Sequence, residues 1–339
     1  MRILYCAGNR VGANSQLFRF LASLPSTHEV KVAAFVKSSH SLIHIDWTLD
    51  SLYNNVLHRR HGRVLQSLLC HPEPPLVNLK NTEVFIKEAK DFCPDLVISD
   101  GDTVSPFVAR AIGSKLWYCS PLNLLMGIDW DYGVLKYKSF IAKEYKKLWR
   151  LPDPDRMLIY SPFGDVDFRP QLKTGYEWVR PYYINKSPSN KNYKCVFVIN
   201  EFERFAALTK LINVLSIKTA LVSPYTEEFN NIDRFLDSDN KVYSELLFNC
   251  EKIFTTGETS YVADALYNNK NICIAPTLTD TETLLNASLI KEYSFGTNLG
   301  QVELMDMYAL DKIEECLERP NTDIKLSKQN LPYLHELIV

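Results

Sequence analysis

Short runs rich in apolar and β-branched residues alternate with amphipathic segments along most of the chain. The runs predict strands at residues 2–6, 30–36, 95–99, 116–119, 195–199, 219–223, 252–256 and 272–275. Between them, apolar residues recur every three or four positions, as at Leu17, Phe20 and Leu24, which predicts helices. Such alternation of strands and helices is typical of an α/β fold with doubly wound parallel sheets.

The alternation is interrupted over residues 152–192, which are rich in Pro, Gly, Ser and Asn. We place an interdomain linker near the end of this segment. The chain of 339 residues is long enough for two ordinary domains. The sequence therefore predicts an N-terminal domain over residues 1–190 and a C-terminal domain over residues 193–339.

Composition narrows the classes of protein to which the chain can belong. Hydrophobic residues make up 46% of it, which is ample for packed cores. The net charge of −2 argues against bulk affinity for nucleic acid. Two local basic stretches, residues 58–63 and 132–150, fit either a surface for an anionic acceptor or solvated helix faces.

The N-terminus lacks the long apolar run of a signal peptide, and no later run approaches the roughly 20 residues of a membrane span. We therefore expect a cytoplasmic protein. Its eight cysteines are scattered without a CxxC pair. We expect them to be reduced core residues rather than metal ligands, with Cys6, Cys195 and Cys273 inside buried strands.

Residues 252–287 carry the most informative pattern: a strand, a turn of small residues, a helix and a second strand. Gly257 permits close approach of the backbone, and the hydroxyls of Thr259 and Ser260 add hydrogen-bond donors. The free N–H groups at the start of the helix favour an anion. The pattern predicts a phosphate site; the alternative is that Ser260 only caps the helix.

A second polar cluster follows the next strand, since residues 277–283 are rich in Thr and acidic residues. The carboxyl ends of neighbouring parallel strands lie at one edge of a sheet, where α/β proteins bind ligands. The two clusters are therefore expected to form one crevice.

Residues 257–287 resemble the nucleotide-sugar signature of GT-B glycosyltransferases of the MurG and UDP-glycosyltransferase kind. The resemblance implies a GT-B fold, in which two Rossmann-like doubly wound domains face each other across a cleft. It implies a UDP-linked or related nucleotide sugar as the donor and no metal or other cofactor.

The resemblance also implies roles for single residues of the C-terminal domain. The turn residues Gly257, Thr259 and Ser260 would hold phosphate, and Asp264 would bind the ribose hydroxyls. The sugar would be bound by Glu282 and Thr283. Glu258 stands where a second Gly is common in the family, and its charge would repel a phosphate unless the side chain points outward. Thr283 replaces the usual amide, which leaves the choice of sugar open.

Two further donor contacts follow from the resemblance. A loop over residues 240–244 would place Val242 or Tyr243 against the nucleotide base. Arg204, after the first strand of the C-terminal domain, would neutralise charge on the leaving diphosphate. The alternative for Arg204 is a surface ion pair with Glu201 or Glu203.

The segment 94–113 resembles the N-domain segment of the same family in which the Asp ending a strand faces the acceptor. Asp100 matches that position, and Asp102 follows two residues later. Many relatives carry a base His in the first loop, where this chain has Ala13. Our hypothesis is that Asp100 or Asp102 is the general base. The alternative for Asp100 is a cap on the following helix.

The first loop is also expected to contact the acceptor through Gly12, Asn14 and Ser15. The leading hypothesis is an inverting, metal-independent hexosyl- or pentosyltransferase acting on a hydroxyl acceptor. The acceptor class is open and includes a hydroxymethylated DNA base, a cell-envelope precursor or a small molecule. The alternatives are a UDP-sugar epimerase and a non-catalytic subunit that binds nucleotide sugars.

Overall fold

The computed structural model describes residues 1–8, 11–34, 44–49, 79–128, 151–166, 169–185, 193–199, 219–222, 233–235, 240–276, 280–300, 307–319, 326 and 331–338. Side chains are described within these ranges except at residues 11–15, 79–80, 233–235, 240–242 and 307–310. The chain divides into two compact units. Unit 1 comprises residues 1–164, 169–182 and 330–339, and unit 2 comprises residues 165–168 and 183–329.

Unit 1 is built on a seven-stranded parallel sheet with the strand order β3-β2-β1-β4-β5-β6-β7. The strands are β1 (Arg2–Ala7), β2 (Glu29–Ala34), β3 (Trp47–Thr48), β4 (Leu96–Asp100), β5 (Lys115–Cys119), β6 (Arg156–Tyr160) and β7 (Tyr176–Val179). The helices are α1 (Val11–Ser23), α2 (Leu79–Phe92), α3 (Ser105–Ile112) and α4 (Leu124–Gly127).

Both faces of this sheet are covered, which explains why its strands are almost continuously apolar. Tyr5 of β1 packs with Leu17 and Phe20 of α1 in one buried cluster. Leu4 of the same strand packs with residues of α2 and α3 in the other cluster. Successive residues of β1 thus serve opposite faces, as the pleat of a strand requires.

The segment 152–192, near whose end we placed the linker, contains β6 and β7 of the first sheet, and the chain passes from unit 1 to unit 2 after Tyr182. Leu158 and Ile159 are fully buried in β6, so their apolar side chains outweigh the surrounding Pro and Gly. The predicted C-terminal domain extends to residue 339, which is beyond the end of unit 2 at residue 329. Residues 330–339 belong to unit 1, where the Arg180 N–H donates to the Pro332 carbonyl at 2.9 Å.

Unit 2 contains a six-stranded parallel sheet with the order β10-β9-β8-β11-β12-β13. The strands are β8 (Tyr193–Val198), β9 (Thr219–Val222), β10 (Asp233–Phe235), β11 (Cys250–Thr255), β12 (Asn271–Ile274) and β13 (Gly296–Asn298). The helices are α5 (Asn240–Asn249), α6 (Thr259–Tyr267), α7 (Thr281–Glu292) and α8 (Met307–Glu318). The predicted α/β class with two parallel sheets is confirmed.

Some predictions fall on residues outside the described ranges. These are the basic stretches 58–63 and 132–150, and Arg204 with Glu201 and Glu203. The predicted loop over residues 240–244 is wrong, because these residues form the first turn of α5. Within the described residues, no helix is long and apolar enough to cross a membrane.

One expectation about cysteine is wrong. Cys273 of β12 forms a disulfide with Cys316 of α8, across a sequence separation of 43 residues. The pair meets because α8 packs beside β12, a contact that residue spacing does not reveal. Cys6 and Cys195 are free and buried, as predicted.

Candidate functional site

The turn after β11, in the predicted donor region, has room only for a glycine at residue 257. Gly257 has a φ of 112°, in the left-handed range that favours glycine. A Cβ at this position would lie 2.7 Å from Cδ1 of Ile274 and 3.2 Å from the carbonyl oxygen of Thr283. The turn is therefore packed directly against β12 and α7, and a side chain at residue 257 would force them apart.

Helix α6 begins two residues later, and its N-terminus is bound by a carboxylate from α7. Oε1 of Glu282 accepts a hydrogen bond from the Thr259 N–H at 2.8 Å. Nδ2 of Asn286 donates to the Gly257 carbonyl at 2.7 Å and to Oγ1 of Thr259 at 3.0 Å. An anion thus sits at the helix terminus, as the dipole argument predicts, but this one belongs to the protein.

The two predicted sugar ligands are buried beside this turn. Glu282 is 2% exposed and Thr283 is 1% exposed. Oγ1 of Thr283 donates to the carbonyl of Asp280 at 3.1 Å. The structure therefore brings the predicted sugar ligands next to the predicted phosphate ligands Gly257 and Thr259, as one crevice requires. Their roles toward a ligand stay predictions.

Glu258 lies inside the turn. Its carboxylate accepts hydrogen bonds from Oγ1 of Thr255 at 3.1 Å and from Oγ1 of Thr256 at 2.7 Å. The side chain therefore bends back toward the end of β11 and is buried. The two hydroxyls donate hydrogen bonds to its carboxylate there. The side chain thus does not point outward, and its carboxylate is hydrogen bonded within the protein.

Ser260 is the second residue of α6, and Glu258 occupies the N-cap position. The alternative in which Ser260 only caps this helix is therefore wrong. The cap of α7 is a side chain: Oδ1 of Asp280 accepts from the Glu282 N–H at 2.9 Å.

Tyr243, a predicted contact of the nucleotide base, lies in the first turn of α5 and is buried. Its ring meets that of Tyr261 in a T-shaped, edge-to-face contact, with centroids 5.3 Å apart and an interplanar angle of 81°. Tyr243 thus fixes α5 against the first turn of α6. The side chain of its neighbour Val242 lies outside the described part.

Asp264, the predicted ribose ligand, is fully buried on α6. Its Oδ1 accepts a hydrogen bond from the Ile184 N–H at 2.7 Å. This contact was not foreseen, because the two residues are separated by 80 positions in the sequence.

In unit 1, the predicted base Asp100 ends β4 and is fully buried. Its Oδ1 accepts from the Tyr160 hydroxyl at 2.8 Å, and its Oδ2 accepts from the Tyr5 hydroxyl at 3.1 Å. Burial, and then the charge of Asp100, raise the pKa of Tyr5, so that phenol remains a proton donor. The sequence did not single out either tyrosine, since a Tyr inside an apolar strand has the pattern of a core residue.

Asp102 has a different environment. Its carboxylate accepts from the N–H groups of Val104 and Ser105 at 2.9 and 2.7 Å, and from the hydroxyls of Ser99 and Ser105. Burial raises the pKa of Asp102, and the bonds from Ser105 and its other partners oppose that rise. The capping role that we considered for Asp100 therefore belongs to Asp102, at the start of α3.

The loop that follows β1 begins close to Asp100. The Gly8 N–H donates to the Asp100 carbonyl at 2.8 Å, and a Cβ on Gly8 would lie 2.5 Å from that oxygen. Part of the predicted loop is helical, because α1 begins at Val11. The predicted acceptor residues Gly12, Asn14 and Ser15 lie in this first part of α1, with side chains outside the description.

Comparison with known proteins identifies the family of the chain. The family described as "Glycosyl transferase family 1" matches residues 1–317. Among curated proteins, none matches the chain.

Solved structures with the same fold cover nearly the whole chain. Spinosyn rhamnosyltransferase SpnG complexed with spinosyn aglycone is 13% identical, with a TM-score of 0.59, over 94% of this chain and 92% of that chain. Spinosyn forosaminyltransferase SpnP is 15% identical, with a TM-score of 0.56, over 96% and 97%. The Streptomyces sp. SF2575 glycosyltransferase SsfS6 complexed with thymidine diphosphate is 15% identical, with a TM-score of 0.56, over 94% of each chain.

Proposed function

Because the chain belongs to glycosyl transferase family 1, we propose that it moves a sugar from a nucleoside diphosphate sugar to a hydroxyl acceptor. The observation that carries the donor assignment is the turn at Gly257, which leads from β11 into the N-terminus of α6. A helix N-terminus at the carboxyl edge of a parallel sheet is suited to a diphosphate, which would have to displace Glu282 from the Thr259 N–H.

We place the diphosphate at Gly257 and Ser260. The neighbouring carboxylates of Glu258 and Glu282 are buried and hydrogen bonded within the protein. The negative charges of Glu258, Glu282 and the diphosphate require a cation nearby, and we propose Arg204 for this role. Neutralisation by Arg204 would allow the diphosphate to leave without a metal ion.

The donor nucleoside is proposed to be a pyrimidine. The sequence resemblance points to uridine, and SpnG and SsfS6 were each solved with thymidine diphosphate. UDP-linked and TDP-linked sugars are therefore the first donors to test.

For the general base we propose Asp100 rather than Asp102. The Asp102 carboxylate is occupied by four groups at the start of α3, which makes it a structural cap. Asp100 accepts hydrogen bonds from two phenols, so a phenol proton can be passed to it. Because Asp100 is fully buried while Tyr160 is 4% exposed, the proton would pass from the acceptor hydroxyl to Tyr160 as Tyr160 gives its own to Asp100.

This arrangement supports an inverting reaction in a single displacement. The acceptor oxygen would attack the anomeric carbon as the bond to the diphosphate breaks, and the relay would take the acceptor proton. Tyr160 and Asp100 would together replace the histidine that Ala13 cannot supply.

The acceptor is proposed only as a hydroxyl compound. SpnG was solved with spinosyn aglycone, which favours a small apolar molecule. The hydroxymethylated DNA base remains a second candidate, and the basic stretches that suggested it lie outside the described residues.

The test is to incubate the full chain with UDP- and TDP-linked sugars and to measure release of the nucleoside diphosphate with and without acceptors. We expect release that depends on an acceptor and falls about 10²- to 10⁴-fold in Asp100→Asn. Interconversion of the sugar without any acceptor would instead identify an epimerase. Thermal stabilisation by nucleotides without turnover would identify a binding subunit. No stabilisation by any nucleotide would reject all three.

A further inference from the structure

The N-terminus of α6 holds a carboxylate of the protein at the place where a diphosphate is proposed to bind. Glu282 is 2% exposed, and its Oε1 accepts the Thr259 N–H at 2.8 Å. The positive end of the helix dipole strengthens such a bond to a charged acceptor. A phosphate oxygen is also a charged acceptor and needs the same donor. Glu282 and a diphosphate therefore compete for the Thr259 N–H.

Helix α7, which carries Glu282, is fixed beside the turn by contacts that do not use this carboxylate. Oδ1 of Asp280 caps the helix by accepting from the Glu282 N–H at 2.9 Å. One turn further along, Nδ2 of Asn286 donates to the Gly257 carbonyl at 2.7 Å and to Oγ1 of Thr259 at 3.0 Å. These contacts remain when the Glu282 carboxylate leaves the N–H. The exchange can therefore occur by rotation of one side chain.

A hydroxyl next to Glu282 indicates a polar ligand at the start of α7. Thr281 is 4% exposed, and its Oγ1 has no hydrogen-bond partner among the described residues. Buried polar groups of native proteins are nearly always hydrogen bonded, so a partner is expected there. A sugar hydroxyl can both donate and accept a hydrogen bond. The sugar of a donor would therefore pair with Thr281 and would also offer donors to the displaced Glu282 carboxylate.

We propose that Glu282 is a displaceable anion, which gives up the Thr259 N–H to the diphosphate of a donor and then binds the attached sugar. This inference rests on the proposed function and deepens its donor site. With the product nucleoside diphosphate there is no sugar, so the carboxylate lies buried and unpaired beside the phosphate charge. Glu282 thus favours the intact donor over the product. Its return to the N–H promotes release of the product.

Two simpler roles for Glu282 lead to different results. If Glu282 only caps α6, the diphosphate uses other N–H groups, and its affinity does not depend on the carboxylate. If Glu282 only binds the sugar, loss of its charge weakens the intact donor and leaves the nucleoside diphosphate unchanged. Of the three roles, competition alone makes the nucleoside diphosphate bind more tightly when the charge of Glu282 is removed.

The test is calorimetry of the full chain with three ligands of one base. These are the UDP- or TDP-linked sugar that the wild type binds most tightly, the matching nucleoside diphosphate and the matching nucleoside. Glu282→Gln keeps the length of the side chain and removes its charge. Glu258→Gln is the matched control, because Glu258 is also buried in the turn but binds the hydroxyls of Thr255 and Thr256.

We expect Glu282→Gln to bind the nucleoside diphosphate about tenfold more tightly than the wild type does, since no charge is left unpaired beside it. Affinity for the nucleotide sugar should fall, because its hydroxyls lose a charged acceptor. The nucleoside should bind both proteins alike. Glu258→Gln should change the affinities for the nucleotide sugar and the diphosphate by one common factor. Inhibition of sugar transfer by the nucleoside diphosphate should strengthen about tenfold in Glu282→Gln alone.

Hydrogen exchange at the Thr259 amide measures the competition directly. In Glu282→Ala without ligand, we expect this amide to exchange at least about tenfold faster than in the wild type, because its acceptor is gone. A saturating concentration of the nucleoside diphosphate should restore the protection, since a phosphate oxygen takes the place of the carboxylate. Exchange that stays fast in the saturated variant would show that the diphosphate does not use this N–H, and would overturn the proposal.

Other results would also overturn it. Unchanged affinity for the nucleoside diphosphate in Glu282→Gln would leave only the cap or the sugar contact. Equal changes for the diphosphate and the nucleotide sugar, as in Glu258→Gln, would reduce the effect to charge alone. If Glu282→Gln does not fold, Glu282→Asp decides the same points, because its shorter side chain competes less for the N–H. Binding of no nucleotide to any of these proteins would overturn the proposed function as well, whereas normal sugar transfer with an unchanged diphosphate affinity would overturn this inference alone.

Discussion

The hydroxyl of Tyr160 lies 2.8 Å from Oδ1 of Asp100, although 60 positions separate the two residues in the chain. The contact spans from β6 to β4 in the first sheet, and β5 lies between them. The phenol thus donates a hydrogen bond to a fully buried carboxylate at the carboxyl end of a strand.

Removing this hydroxyl tests the proposed relay. In Tyr160→Phe we expect the turnover number of sugar transfer to fall about 10²-fold or more, because the acceptor proton loses its path. Donor affinity, measured by calorimetry, should be unchanged. The free energy of unfolding should fall by about 1.5–3 kcal/mol, the usual value for a hydrogen bond to a charged group.

Tyr118→Phe is the matched control. Its hydroxyl donates to the Pro152 carbonyl at 3.3 Å, and its ring packs in the cluster on the other face of the sheet. We expect this variant to keep full transfer activity. Equal turnover in Tyr160→Phe and Tyr118→Phe would remove Tyr160 from the mechanism.

The pH dependence of stability should carry a contribution from Asp102. Burial raises its pKa, so the folded protein holds this proton more tightly than the unfolded chain does. The stability that Asp102 contributes is therefore fully present below the pKa of the unfolded chain and is lost as the pH rises through the folded-state pKa. Asp102→Asn cannot ionise, so the wild type should lose stability relative to it over that range.

Denaturant unfolding of both proteins at a series of pH values measures this difference. Ser105→Ala gives a further check, because the bond from Ser105 lowers the pKa of Asp102. Its loss should move the pH range upward. A stability advantage of the wild type over Asp102→Asn that grows with pH would contradict the assignment.

Gly257→Ala should disrupt the candidate donor site. The substitution combines an unfavourable φ of 112° with a Cβ placed 2.7 Å from Cδ1 of Ile274. We expect the free energy of unfolding to fall by about 2–4 kcal/mol, the sum of backbone strain and overpacking. Nucleotide affinity should fall as well, since α7 must shift away from the turn.

Gly113→Ala separates the two causes. Gly113 has a φ of 73°, and no atom lies within 4 Å of the position of its added Cβ. It should cost about 1 kcal/mol and leave nucleotide affinity unchanged. Similar effects of the two substitutions would show that packing around Gly257 is unimportant.

The disulfide between Cys273 and Cys316 should stabilise unit 2. A closed loop of 43 residues corresponds to about 4 kcal/mol in the chain-entropy description. We expect the double substitution of both cysteines by Ser to lower the free energy of unfolding by up to that amount. Peptide mapping without reductant should recover the two cysteines as a linked pair.

Cys93→Ser is the control, because Cys93 is free and exposed. It should leave stability unchanged within about 0.5 kcal/mol. Alkylation of Cys273 and Cys316 in the unfolded, unreduced protein would contradict the bond.

The family signature and the doubly wound fold were both predictable from the sequence, and the family match and the solved structures confirm them. Signals of this kind are local. Gly257 and the small residues after it mark a strand-to-helix turn through their own conformational preferences. Eight of the thirteen strands in the described residues were identified in this way, because apolar runs must be buried wherever they lie, whereas β3, β6, β7, β10 and β13 were not.

Partners of the site residues could not be predicted in this way. The sequence did not indicate that Glu258 binds Thr255 and Thr256. Asp100 and Asp102 are similar in sequence context, but one binds two phenols and the other caps a helix. The choice depends on which distant elements pack beside each carboxylate.

The sequence by itself determined the alternation of strands and helices, the α/β class with parallel sheets and the family, because hydrophobic periodicity and turn preferences act between near neighbours in the chain. Tertiary structure alone decided that Tyr160 meets Asp100, that Ile184 meets Asp264 and that Cys273 meets Cys316. A buried polar group must find a partner, and packing determines which partner is within reach.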